Sequence, residues 1–170
     1  GCRVHSRQAG AGAGREQGTT MGAALAVTAI SAVLVGVSLF LHYSVLKFCA
    51  RAVFAGEISS HRPLLVILGL VFLVHLAEVM LFAIAYYLMH WTEGLGRLAG
   101  GSDAGPADFL RYFYFSISSY TTLGFGDIVP VGALRILAGI EALTGLVLIA
   151  WSASFSYFMM ERLWKGPDGR

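Results

Sequence analysis

Charged residues are scarce in this sequence. Asp, Glu, Lys and Arg make up only 13% of the 170 residues, whereas 56% are hydrophobic. Because soluble domains usually carry about a quarter charged residues, this composition argues against a soluble enzyme or binding domain and indicates a membrane protein in a lipid bilayer. The formal net charge of +2 is small and the chain has no basic stripe, so we expect no nucleic-acid partner.

Three further absences narrow the class of protein. The two cysteines, Cys2 and Cys49, do not form a spaced pair, and Cys49 ends an apolar segment, so we expect a free thiol there. No helix carries regularly repeated arginines, which excludes the usual voltage sensor. No inverted repeat is visible, which disfavours a proton-coupled transporter.

Three apolar segments are long enough to cross a membrane, which takes about 20 residues. We predict an all-α membrane protein with transmembrane helices at residues 21–47, 63–89 and 132–162. The first segment has no Asp, Glu, Lys or Arg from Gly22 to Leu46. That length argues against a signal peptide, whose apolar core is about 7–15 residues.

The N-terminal residues 1–20 are rich in Gly, Ala and Arg and have no apolar period. We interpret them as a disordered leader or as a non-native extension upstream of Met21. Positive residues follow the first and third helices, so the ends of these two helices, with the short tail at 163–170, are expected in the cytoplasm, and the start of the first helix outside. The leader arginines contradict this orientation, which favours a start at Met21. The positive residues concerned are Lys47, Arg51, Arg62, Arg162, Lys165 and Arg170.

A fourth, shorter aromatic segment lies between the second and third helices. Residues 108–120 are predicted to form a helix that begins near Asp108, and the Gly-rich residues 90–107 before it are expected to be a solvated loop. About 13 helical residues reach only about 20 Å, short of a hydrocarbon core of about 30 Å. The segment must therefore enter the membrane and turn back, which is tolerated only where the backbone is buried in protein or lines a wet cavity.

The residues that follow, Thr-Thr-Leu-Gly-Phe-Gly-Asp at 121–127, suit a strand that presents backbone carbonyls to a dehydrated cation. Such a strand needs a left-handed backbone at every second position, and Gly124 and Gly126 supply it without a Cβ clash. Leu123 and Phe125 are then expected to point away from the ion path. Thr122 can add its hydroxyl as a further ligand.

This stretch, after a short aromatic helix and between two membrane spans, closely resembles the pore loop of potassium channels. It is similar to the Thr-Val-Gly-Tyr-Gly consensus, and its Leu and Phe are similar to loops of two-pore-domain potassium channels. The resemblance covers residues 63–162, a bacterial-type two-helix pore module preceded here by an extra helix. It implies a homotetramer, a selectivity filter at 121–127 and a location in a bacterial inner membrane.

The resemblance also implies roles for single residues. Stacked K⁺ sites would be formed at Thr122, Leu123, Gly124 and Phe125, while Gly126 would open the outer mouth. Support for the filter is expected from Thr121, Asp127, Ser118 and Glu141.

Two departures from the family pattern remove contacts that usually support the selectivity filter. Phe125 lacks the hydroxyl of the common tyrosine, and Ser118 stands where some relatives carry an acidic residue. We hypothesise that Glu141 replaces that acid by hydrogen bonding through Ser118 or Ser119. The alternative is an interhelical pair with a histidine, serine or threonine.

Other polar residues inside the spans have two interpretations each. His75 and Glu78 share a helix face and are a pH-sensing site or a buried polar pair. His42 suits a membrane interface or buried polar packing. Gly145 is a hinge of the third helix or a site of close packing. The cavity is lined either by Ala150, Ser154 and Phe158 or by Thr144, Leu148, Trp151 and Phe155.

The sequence therefore predicts a potassium-selective channel that conducts K⁺ passively, with K⁺ as permeant ion and no cofactor. A nonselective monovalent cation channel is the main alternative, because a loosened filter of similar sequence passes sodium. An intramembrane metalloenzyme is a more distant alternative, which we consider because two acids and a histidine can hold a metal. It leaves the Gly-Phe-Gly strand unexplained, so we expect no enzyme.

Overall fold

The computed structural model describes residues 5–54, 63–101 and 108–165, with side chains at 21–53, 64–101 and 108–164. Helices make up nearly all of this part of the chain. The elements in order are α1 (His5–Phe54), α2 (Pro63–His90), β1 (Arg97–Gly100), α3 (Phe109–Tyr120), β2 (Ile128–Val131) and α4 (Leu134–Lys165).

Three of the helices have the length and composition of membrane spans, at Met21–Val53, Leu64–His90 and Leu134–Trp164. In hydrocarbon every backbone amide and carbonyl needs a partner inside the protein, and a helix provides one within the segment itself. The predicted fold class, a helical membrane protein with three spans, is confirmed. The short helix α3 lies between the second and third spans and begins after Asp108, whose side chain accepts from the amide of Leu110.

The start of α1 differs from the prediction. The disordered leader is not observed, because α1 begins at His5 and continues without a break past Met21; the alternative of a non-native extension stays a prediction. Residues 1–4 lie outside the described part of the chain. Alanine, arginine, glutamate and glutamine favour helix, and adding residues to an existing helix avoids the cost of nucleation.

Apolar side chains form two clusters at opposite ends of the helix bundle. The loop-end cluster surrounds α3 and consists of Val27, Phe82, Ala85, Tyr86, Met89, Leu98, Tyr112, Phe115, Leu134 and Leu137. The tail-end cluster consists of Leu46, Cys49, Ile67, Val71 and Met159. Between them, in the order of the helices, lie the buried polar residues His42, Glu78, Glu141 and Ser152.

The tail-end cluster brings together the end of α1, the start of α2 and the end of α4. Lys47, Arg51 and Arg162 therefore lie at the same end of the bundle, as the expected orientation requires. Arg62 and Arg170 fall outside the described residues. Cys49 is buried in this cluster as a free thiol.

A short antiparallel ribbon, not predicted from the sequence, closes the other end. Gly100 of β1 pairs with Ile128 of β2, so part of the expected solvated loop is ordered; residues 102–107 lie outside the described residues. The Arg111 guanidinium of α3 donates to the carbonyls of Leu98 (3.0 Å) and Gly100 (2.7 Å). The ribbon thus joins the start of α3 to the chain that leaves the loop at 121–127.

We predict that Gly100→Ala lowers the thermal stability of the protein. Gly100 has φ +89°, and a Cβ there would overlap the carbonyl oxygen of Asp127. Gly94→Ala is the matched control, because Gly94 has φ +85° and open space around the added methyl group. Overpacking costs about 1–3 kcal/mol beyond the shared backbone strain. Melting curves in one detergent check this; equal losses in the two variants would show that the close approach is unimportant.

Candidate functional site: the loop after the short helix

We call the loop at 121–127 the filter loop, after its predicted role. Its backbone has positive φ at every second residue. The φ angle is +60° at Thr122, +56° at Gly124 and +81° at Gly126. The expected left-handed positions are therefore present at both glycines and also at a threonine. A β-branched residue at positive φ is strained by about 1–3 kcal/mol, so the surrounding contacts must hold Thr122 in place.

Those contacts come from the end of α3. The amide of Thr122 donates to the carbonyl of Ser119 (2.9 Å), and the amides of Leu123 and Gly124 both donate to the carbonyl of Ser118 (2.9 and 3.3 Å). Thr121 caps the helix, with its hydroxyl donating to the carbonyl of Ile117 (2.7 Å). Ser118 thus holds the loop through its backbone, whereas the sequence pointed to its side chain.

Four successive carbonyls of the loop, those of Thr122, Leu123, Gly124 and Phe125, have no hydrogen-bond partner among the described residues. Every residue from 121 to 127 is exposed in the single subunit. Amides that face α3 and carbonyls without partners leave a row of oxygens available to a ligand outside the subunit.

An aromatic residue of α3 secures the far end of the loop. The ring of Tyr114 stacks on Phe125, with centroids 6.1 Å apart and planes 7° from parallel. Its hydroxyl donates to Asp127 Oδ2 (2.9 Å), and Asp127 Oδ1 accepts from the amide of Ile128 (3.0 Å). The hydrogen bond to Asp127 raises the pKa of Tyr114, because it favours the protonated phenol. Tyr114 was noted in the sequence only as part of an aromatic segment.

Glu141 reaches α3, but through a different serine from the one predicted. Glu141 Oε1 lies 2.5 Å from Ser116 Oγ, and Glu141 Oε2 accepts from the hydroxyl of Tyr86 (2.7 Å). Ser116 follows Tyr112 and precedes Tyr120 at helical spacing, and all three are buried residues of α3. Among the described residues, the hydrogen-bond partners of Glu141 are Ser116 and Tyr86, and neither Ser118 nor Ser119 is one of them.

The contacts of Ser116 indicate that Glu141 is a neutral acid. Ser116 Oγ lies 2.8 Å from the carbonyl of Val79 as well as 2.5 Å from Glu141 Oε1, yet it has a single hydrogen. If Ser116 donates to Val79, the contact with Glu141 needs a hydrogen from the carboxyl group. A protonated carboxyl also avoids the cost of an unpaired buried charge.

His75 and Glu78 form a larger group than their spacing indicated. His75 Nδ1 lies 3.3 Å from Glu78 Oε2. His42 of α1, which is fully buried, places Nδ1 3.0 Å from Glu78 Oε1, so buried polar packing rather than a membrane interface describes it. We call the connected group the polar cluster; its members are His42, His75, Glu78, Tyr120 and Ser152.

The polar cluster adjoins the filter loop at Tyr120, the residue that precedes the loop in the chain. Tyr120 is the last residue of α3, and its hydroxyl donates to Glu78 Oε2 (2.5 Å). The extra helix α1 therefore contacts the end of α3 through His42 and Glu78. Each histidine is an ionisable residue in an apolar segment, which the sequence shows directly. The sequence does not show that the two histidines meet, because they lie on different helices.

Gly145 lies where α4 passes the end of α3. A Cβ at this position would overlap the carbonyl oxygen of Tyr120. This contact favours the close-packing interpretation of Gly145, and α4 is continuous on both sides of it. One of the two predicted stripes on α4 is buried at Thr144 and Leu148 but exposed at Trp151. The other stripe, Ala150, Ser154 and Phe158, is exposed at all three residues.

A family model described as "Ion channel" matches residues 74–161, over half of the chain. This chain belongs to the ion channel family. The match begins in α2, includes α3 and the filter loop and ends in α4. It agrees with the resemblance to potassium channel pores and identifies a protein of ion transport rather than an enzyme.

One curated relative of this ion channel is the inward rectifier potassium channel Kirbac3.1 of Paramagnetospirillum magnetotacticum. The two are 33% identical over 81 residues, which is 45% of this chain and 28% of the relative. The chain thus spans less than a third of that protein's length, and the similarity concerns a part of it. No solved structure gives a significant match.

We predict that Glu141→Gln leaves stability nearly unchanged, whereas Glu141→Leu loses about 1–3 kcal/mol. A glutamine amide can donate to Ser116 and accept from Tyr86 as the neutral acid does, but leucine leaves the buried Tyr86 hydroxyl without its acceptor and removes one of the two partners of Ser116. Unfolding by denaturant in a fixed detergent measures the difference. A loss for Glu141→Gln as large as that for Glu141→Leu would mean that the site holds an ionised carboxylate.

We predict that Tyr114→Phe weakens the filter loop while keeping the aromatic stack on Phe125. The variant removes only the hydrogen bond to Asp127 and keeps the aromatic ring. Ion flux in liposomes should fall or lose selectivity, and Tyr87→Phe is the control on a neighbouring helix. Unaltered flux and selectivity in Tyr114→Phe would remove Asp127 from the support of the loop.

Proposed function

We propose that this ion channel is a homotetramer that conducts K⁺ passively and selectively across a membrane. The observation that carries the proposal is the row of carbonyls from Thr122 to Phe125, which have no partner among the described residues, while α3 holds the amides of residues 122–124. A cation that enters a narrow pore must exchange its water for oxygens at fixed positions, and rings of backbone carbonyls supply them. The Thr122 hydroxyl is the proposed additional ligand, and Gly126 the outer mouth.

One subunit supplies one strand, so a ring requires four copies around an axis. Irregular backbone at membrane depth is tolerated only where protein or a wet cavity covers it. In the single subunit Leu123 is 60% and Phe125 63% exposed, which supports a neighbouring copy beside the filter loop. A cavity of about 490 Å³ next to Tyr114, lined in part by Leu110 and Ile117, offers that copy an apolar surface.

The alternative is a nonselective monovalent cation channel, suggested by the missing hydroxyl of Phe125. The contacts of Tyr114 favour selectivity instead, because they replace the missing brace. Tyr114 holds the ring of Phe125 by stacking and holds Asp127 by its hydroxyl. Glu141 and Ser116 fix the adjoining face of α3 in the same way.

The proposed location is a bacterial plasma membrane, with the C-terminus in the cytoplasm. Lys47, Arg51 and Arg162 at the tail end of the bundle support this orientation by the positive-inside rule. The filter loop then lies toward the outer face. The similar potassium channel also comes from a bacterium.

The test is ion flux through the purified protein in liposomes that carry a K⁺ gradient against Na⁺. We expect a reversal potential that follows the K⁺ gradient. Gly124→Val and Gly126→Val should abolish the current, since a side chain cannot adopt φ of +56° or +81° without strain. Gly94→Val is the control, because Gly94 also has positive φ but lies outside the filter loop.

Two results would contradict the proposal. A reversal potential that ignores the K⁺ gradient favours the nonselective channel. Current that persists in both filter-loop variants, with tetramers intact by cross-linking, places the ion path elsewhere in the protein.

A further inference from the structure

The polar cluster is a second candidate site, distinct from the row of carbonyls. It gathers one residue of α1, two of α2, the last residue of α3 and one of α4. His42 and Glu78 are fully buried, Tyr120 and Ser152 nearly so, and the His75 side chain keeps 18% exposure in the subunit. None of these side chains is among the proposed K⁺ ligands of the filter loop.

Five close contacts join the cluster into a ring. Each successive pair is within hydrogen-bond distance: His42 Nδ1 and Glu78 Oε1 at 3.0 Å, Glu78 Oε2 and Tyr120 Oη at 2.5 Å, Tyr120 Oη and His75 Nδ1 at 2.8 Å, His75 Nε2 and Ser152 Oγ at 3.0 Å, and Ser152 Oγ and His42 Nε2 at 3.0 Å.

The ring lacks one hydrogen and one positive charge. An ionised Glu78, two neutral imidazoles, a tyrosine and a serine bring four hydrogens to the five contacts. With both Nδ1 atoms donating, both Nε2 atoms face Ser152, which can donate to only one of them. The same set of groups carries a net negative charge in a buried site, which is costly unless a cation compensates it. The cluster is therefore incomplete without a cation.

The donor set selects the kind of cation. Two imidazole nitrogens and one carboxylate oxygen are a set that Zn²⁺ accepts, with bonds of about 2.0–2.1 Å and hence about 3.3 Å between tetrahedral ligands. The nitrogen of His42 lies 3.0 Å, and that of His75 3.3 Å, from an oxygen of Glu78. One ligand atom from each of the three residues lies within 4.8 Å of the others. The two short distances are to different oxygens of Glu78, Oε1 for His42 and Oε2 for His75, so the side chains must move together to bind one ion.

We propose that the polar cluster binds a divalent transition-metal ion of the zinc class, with His42, His75 and Glu78 as ligands. Metal at both Nδ1 atoms moves each histidine's hydrogen to Nε2, and both then donate to Ser152 Oγ. Tyr120 still donates to the carboxylate, while bonds to the metal replace the contacts that the two Nδ1 atoms make with Glu78 and Tyr120. The positive charge of the metal compensates Glu78.

Such a metal would fasten α1 and α2 together beside the residue that precedes the filter loop. Tyr120 bonds to the ligand Glu78, and its carbonyl lies against Gly145 of α4. The metal would thus connect the extra first helix to the pore module. Its binding does not depend on the proposed K⁺ selectivity and is measured separately from ion flux.

The test is Co²⁺ titration of the purified, chelator-washed protein in detergent. We expect the visible absorption of four-coordinate Co²⁺, one ion per chain, lost on addition of Zn²⁺. Zn²⁺ should also raise the melting temperature, because it binds only the folded protein. Ser152→Ala should weaken binding about 10–100-fold, as the loss of a partner that orients metal ligands does.

Matched variants locate the ion. His42→Gln and His75→Gln, singly and together, should lose the four-coordinate spectrum and the thermal shift, whereas His90→Gln, at the end of α2, should keep both. Tyr120→Phe should keep the spectrum, since it retains the three ligands. A wild-type protein without this spectrum, or a Ser152→Ala or double-histidine variant that binds Co²⁺ as wild type does, would overturn the proposal. If the polar cluster takes up a proton in place of a metal ion, the wild-type protein will show no four-coordinate Co²⁺ spectrum.

Discussion

The hydrogen bonds between the end of α3 and the first amides of the filter loop are the interaction on which the rest of the site depends. A helix leaves its last carbonyls without helical partners, and here those of Ser118 and Ser119 accept from the loop. The loop amides are thereby turned inward. The carbonyls at 122–125 then have no partner among the described residues, which leaves them available to the proposed K⁺.

This arrangement is strained and must be held from several sides. Thr122 has a backbone conformation that a β-branched residue rarely adopts. Tyr114 secures the far end of the loop through Phe125 and Asp127, and the ribbon closes behind it. The helices pack around α3 in turn, so that loop geometry and bundle packing form one unit. A pre-formed row of oxygens needs less reorganisation when a cation loses its water.

Buried polar groups between the two apolar clusters position α3 along the bundle. In hydrocarbon an unpaired polar group is expensive, so Ser116 and Glu141 restrict how α3 and α4 slide past each other. His42 does the same for α1 through Glu78. The extra helix is therefore attached to the bundle by polar contacts as well as by apolar packing.

The sequence by itself determined the three spans, the short helix and the positions of the loop glycines, because these follow from local length, hydropathy and backbone freedom. It also singled out Glu141, His75 and Glu78, since ionisable residues inside apolar segments are exceptional. Only the tertiary structure decided their partners. Which serine meets Glu141, and that His42 meets Glu78, depend on the rotation of packed helices, which residue spacing along one helix cannot fix.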